Sequence, residues 1–211
     1  MGAEYRLKKC GILGIDRSGS RGNYPIAVAS VYSENMKNFE KAIQEIKTSF
    51  KIRHGRIKGK DFSFKQHENA VDIIISNNIR FFVCMVSQKD YSEIEKFINS
   101  KKSWEQNLEA LLWFKSVYFL AKKFSLTPKE VFYERTFPDT VFDKRLESLI
   151  KEKLFADSVC AGDKFSPYIV VADWIANFFF RNSDIANIYR NQILYIGLNT
   201  IEQELRRLFK L

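Results

Sequence analysis

The sequence predicts an α/β domain built on a mixed sheet, and three observations predict it. Short apolar runs of strand length alternate with longer segments of helical spacing along the chain. The first two runs, residues 10–15 and 24–32, are joined by a short polar link, as in an antiparallel hairpin. With 45% hydrophobic and 28% charged residues, 211 residues suffice to bury a core. No linker, low-complexity tract or internal repeat interrupts this order. Residues 1–211 are therefore expected to form a single domain, with 183–211 as a C-terminal helical extension.

Taken in order, 10–15 is expected to be a buried strand stopping at Asp16, and 17–23 a turn by its Gly/Ser/Asn content. Residues 24–32, rich in small and β-branched side chains, give the second strand. Residues 35–50 place Phe39, Ala42, Ile43 and Ile46 on one helical face. A basic, Gly-containing loop follows at 51–60. Residues 64–76 form a helix with Ala70, Val71, Ile74 and Ile75 inward, broken by Asn77-Asn78. The nearly continuous apolar run 79–86 is a central strand. Residues 103–124 form a long helix ended by Thr127-Pro128, 130–133 a strand ending at Glu134, 140–154 a helix, and 157–161 a strand. Ser166-Pro167 opens a helix, Ser as N-cap and Pro at N1, that runs to about Arg181. Residues 183–211 give one or two helices with a basic tip. The sheet then has about five strands flanked by helices.

The net charge is +9 and the pI about 9.4, which favours a polyanionic partner, nucleic acid ahead of a membrane surface. Charge without placement fits a merely basic protein as well. Cys10, Cys84 and Cys160 are odd in number and form no CxxC pair, which argues against a disulfide framework or zinc site. They lie in apolar runs and fit a reducing, cytoplasmic setting. The polar opening does not read as a signal peptide, and no apolar stretch is long enough to span a membrane. A homo-oligomer is compatible with the sequence.

Three acids stand out by their settings. Asp16 ends an apolar strand before a Gly/Ser turn, Glu134 ends a later strand, and Asp173 lies in a helix apolar nearly all round. A carboxylate in such a helix is costly unless paired, hydrogen-bonded or metal-bound. Each has a plainer reading: Asp16 as a turn cap, Glu134 paired with Arg135 or Lys129, Asp173 paired with an Arg or backbone donors. Together, strand ends and a helix packed on the sheet can converge, and gathered carboxylates call for a hard cation with oxygen ligands, Mg²⁺ or Mn²⁺. The loop 51–60 adds Arg53, His54, Arg56, Lys58 and Lys60, with glycines that let backbone approach a phosphate. Two histidines, His54 and His67, are too few for a histidine-ligated metal. No dinucleotide loop, Walker lysine or Ser-His-Asp set is present.

The stretch Gly14-Ile15-Asp16-Arg17-Ser18-Gly19 resembles the opening of an uncharacterised ribonuclease-H-like family, whose first strand ends in Asp-Glu-Ser-Gly. Residues 57–63 resemble its middle motif, 131–135 its intervening strand, and 163–176 its closing motif, with an Ala-Asp pair in an apolar helix. Arg17 stands where the family usually has Glu, Arg56 where it has an acid, Glu134 where Asp is more usual, and Asn177 where a small residue is common.

The resemblance implies a ribonuclease-H-like fold and a metal-dependent nuclease. Asp16, Glu134 and Asp173 would be catalytic metal ligands and Lys58 a phosphate-facing catalytic residue. Arg17, Arg53, His54, Arg56, Lys58 and Lys60 would contact nucleic acid, DNA and RNA not being distinguished. The competing expectation is a non-catalytic nucleic-acid-binding or assembly module on the same scaffold, using the basic loop and the 206–210 tail. An interaction surface around Phe178, Phe179 and Phe180 ranks behind both.

Overall fold

The computed structural model describes residues 11–52, 58–134, 140–182 and 188–210. Arg53, His54, Arg56 and Cys10 lie outside the described residues. The strands are β1 (Ile12–Ser20), β2 (Asn23–Ser33), β3 (Arg80–Val86), β4 (Glu130–Tyr133), β5 (Ser158–Ala161) and β6 (Ile193–Tyr195). The helices are α1 (Met36–Ser49), α2 (Phe64–Ser76), α3 (Gln88–Ile98), α4 (Trp104–Phe124), α5 (Thr140–Leu154), α6 (Pro167–Arg181) and α7 (Leu198–Phe209). A 3-10 turn, Gly59–Asp61, precedes α2.

The strands form one sheet in the order β5-β4-β1-β2-β3-β6. β1, β2 and β3 pair antiparallel in a meander, while β4, β5 and β6 add in parallel. The predicted hairpin is present. The turn is tighter than composition suggested, because β1 continues through Asp16 to Ser20 and only Arg21-Gly22 lie between the strands. Gly19 takes a φ of +85° where the β1–β2 register shifts, a conformation that glycine adopts without Cβ strain.

Two apolar layers cover the sheet. On one face, Leu13, Ile15, Val28 and Cys84 pack against α4, α5 and α7. On the other, Ala27, Ala29, Val31 and Val83 pack against α6, α1 and α2. Helix α6 is buried along almost its whole length, and Phe178 and Phe179 are fully buried, so these rings are core rather than a docking surface. Among the described residues no helix is long and apolar enough to cross a membrane.

Beyond the longer β1, the structure differs from the sequence reading in four places. Residues 193–195 form a sixth strand beside β3, so the C-terminal part is not purely helical. Helix α3 fills the stretch after β3 that carried no assignment. In α2, His67 faces inward and Ile75 is 45% exposed. Cys160 is exposed although its neighbours are apolar.

Candidate active site

Alternation along β1 divides its central side chains between the two layers. Leu13 and Ile15 enter the α4 layer, and Arg17 follows them to Glu109 of α4 at 3.0 Å. Asp16 and Ser18 face α6. The Ser18 hydroxyl donates to Asn177 Oδ1 at 3.1 Å, and Asp16 feels the charge of Asp173. The ladder between β1 and β4 ends at the Ile15–Tyr133 pair. Immediately beyond it, the Glu134 N–H donates to the Ile15 carbonyl at 3.2 Å, which sets Glu134 beside Asp16. The adjacent Tyr133 hydroxyl donates to Asp143 of α5 at 2.7 Å, anchoring the end of β4.

Asp16 is only 6% exposed. Its carboxyl is held well above the usual carboxylate range, first by burial, then by the charges of Asp173 and Glu134, and by a side-chain hydrogen bond with Glu134. The Arg17 N–H donates to Asp16 Oδ1 at 2.6 Å and works the other way, but does not outweigh burial.

Asp173 is held differently. Its Oδ2 accepts from the Gly59 N–H at 2.8 Å, and its Oδ1 from Asn177 Nδ2 at 2.9 Å. The same amide also donates to the Asp173 carbonyl at 2.9 Å. One turn further along α6, Arg181 donates to the carbonyls of Lys60 and Phe62 at 2.7 and 2.9 Å. Positions 173, 177 and 181 therefore form an i, i+4 stripe that fastens the end of the basic loop to α6. A Cβ on Gly59 would meet Asn177 Cβ at 2.6 Å, so this glycine permits backbone–helix contact, not an approach to phosphate as its composition suggested.

The three acids are thus neighbours, yet among the described residues no three His, Cys, Asp or Glu side chains form a ready set for one ion. Asp16 and Glu134 make the close pair, while Asp173 is drawn toward the loop by Gly59 and Asn177. The all-oxygen donors and the crowding of like charge around Asp16 suit a hard divalent cation. Lys58 and Lys60 are exposed on the loop side of Asp173. Their placement fits a polyanion contact.

Arg17 does not fit that role. Its side chain is 14% exposed and committed to Glu109, on the opposite face of β1 from Asp16. The Trp113 indole N–H also donates to Glu109, at 2.8 Å. Glu109 was not singled out in the sequence, although a lone acid amid buried residues on α4 demands a buried cation. Ser18 and Arg181 were missed too, and Asn177 was noticed only as a departure from the resembled family.

No family model and no curated protein matches the chain. Solved structures do. A point mutant of Bst-RNase HIII is similar at a TM-score of 0.59 and 16% identity, over 87% of this chain and 56% of that one. Ribonuclease H2 from Pyrococcus horikoshii OT3 is similar at 0.56 and 19%, over 85% of this chain and 77% of that one. At such identities the likeness shows the fold, a ribonuclease-H-like mixed α/β sheet. The chain spans little more than half of the RNase HIII protein.

Proposed function

We propose that this protein is a divalent-metal-dependent nuclease that hydrolyses nucleic-acid phosphodiester bonds. The observation that carries the reading is the convergence of Asp16, Glu134 and Asp173 midway along β1, where its ladder with β4 ends, on a ribonuclease-H-like sheet. Asp16 and Glu134 would hold Mg²⁺ or Mn²⁺ between them, with Asp173 contributing from α6. Such a cation would lower the pKa of a bound water and offset charge developing on the phosphate. Asp16, buried on a strand paired on both sides, is the fixed member of the set. Lys58 and Lys60 would steady the phosphate backbone as the polymer crosses the loop. Both structural neighbours are named ribonucleases, so RNA strands come first among the polymers to test.

The experiment is a cleavage assay on end-labelled RNA, DNA and hybrid duplexes, with Mg²⁺, Mn²⁺ or chelator, for the wild type and Asp16→Asn. Metal-dependent cleavage by the wild type and none by the folded variant is expected. Equal cleavage by both removes Asp16 from the chemistry. Salt-sensitive binding with no cleavage in any metal favours the non-catalytic binding module instead.

A further inference from the structure

A second candidate site lies on the other side of the sheet. Helices α4, α5 and α7 enclose a groove of about 510 Å³ in the layer that receives Leu13 and Ile15, away from the face occupied by Asp16 and Asp173. Each helix presents a stripe of i, i+4 spacing to it: positions 111 and 115 from α4, 145 and 149 from α5, and 204 and 208 from α7.

Leu111, Phe114, Leu149 and Leu208 supply apolar surface to the groove, and the last two are only half-buried. Lys115 is buried and paired with Glu204, so this cation and carboxylate cancel inside the groove. The remaining charge is one-sided: Arg145, Lys153, Arg207 and Lys210 against Glu152. Lys153, Arg207 and Lys210 are exposed. Arg206 belongs elsewhere, since it is bonded to Glu202 and lies over the Phe97 ring.

We propose that this groove docks an acidic peptide segment carrying large apolar side chains at helical spacing. Three requirements together select that occupant. The apolar floor wants hydrophobic anchors, the basic rim wants carboxylates, and a trough bounded by three helices accepts an amphipathic helix. A nucleic-acid strand would satisfy the rim, but would leave Leu149 and Leu208 against sugar and phosphate. The surface is separate from the candidate active site, so the proposal stands whether or not the chain is a nuclease.

Fluorescence anisotropy on the full chain tests it. The probe is a short labelled peptide with Leu and Phe at i, i+3 and i+4 spacing and Asp or Glu between them. The expected result is saturable binding, weakened at least about tenfold when Leu and Phe become Ser at unchanged charge. The double variant Lys153→Glu/Arg207→Glu, whose changed residues are solvent-exposed, should lose about as much while its circular dichroism matches the wild type. Equal binding of the Ser peptide, unchanged binding by the double variant, or no saturable binding each overturns the proposal. Displacement of the probe by a polyuridine oligonucleotide overturns it as well, because the groove would then be a nucleic-acid surface.

Discussion

Gly59→Ala tests whether the basic loop is latched to the candidate active site through Asp173. The added Cβ would stand 2.6 Å from Asn177 Cβ, and 3.0 Å from both Asn177 Cγ and the Asp173 carbonyl oxygen. Reaching a tolerable 3.4 Å requires the loop to back away by about 0.8 Å. The Gly59 N–H bond to Asp173 is 2.8 Å, so the same retreat takes it beyond hydrogen-bonding range. Losing a bond to a charged acceptor costs about 1.5–3 kcal/mol. If the loop holds its place instead, overpacking costs about 1–3 kcal/mol. Between them the two routes lower Tm by roughly 2–12 °C, at about 2–4 °C per kcal/mol for a chain of this size. Thermal denaturation followed by circular dichroism, in chelator, measures this directly. A Tm within a degree of the wild type would refute the close contact and with it the latch.

Asp16→Asn should stabilise the metal-free protein at neutral pH. The Asp16 carboxyl is raised above its ordinary value of 3.8 by burial and neighbouring acids, so its contribution is full below that value and lost as pH rises through the folded value. Asn avoids that loss, and a lower neutral-pH Tm in chelator would contradict the electrostatics. Arg17→Leu leaves Glu109 buried and without its cation, which should cost about 3–5 kcal/mol in urea denaturation; a cost under about 1 kcal/mol would show that Glu109 is otherwise satisfied. His67 is pushed down to about 4, chiefly by burial and then by the Arg181 charge. Its contribution is full above 6.5 and is lost as pH falls toward about 4, so His67→Gln should flatten the pH dependence of Tm in that window. An unchanged pH profile of Tm in that variant would show that His67 does not titrate on unfolding.

Long periodic segments were legible because burial writes itself into spacing. Helix α2 spans Phe64–Ser76, the range expected from its apolar stripe, and Asn77 caps it. Helix α3 escaped because only Tyr91, Ile94 and Ile98 are buried in a run otherwise dominated by polar and charged residues. β6 is three residues long, too short to carry a pattern. The end of β1 was misplaced because Arg17 looked like the start of a polar turn. Its charge is in fact neutralised inside the opposite layer by Glu109, a partner far along the chain that periodicity does not identify. The approach of Asp16, Glu134 and Asp173 was legible in outline, since two strand neighbours and a covering helix bring them together. The tether on Asp173 was not, because it depends on a main-chain N–H at Gly59 and a side-chain amide at Asn177.

If the carboxylates gathered at Asp16 hold a catalytic cation, Mn²⁺ binding followed by electron paramagnetic resonance will register it. The free-ion signal should fall on adding the wild type, much less on adding Glu134→Gln or Asp173→Asn, and not at all on adding Asp16→Asn. Equal Mn²⁺ uptake by the wild type and Asp16→Asn, or none by the wild type, would show that these carboxylates do not form a cation site.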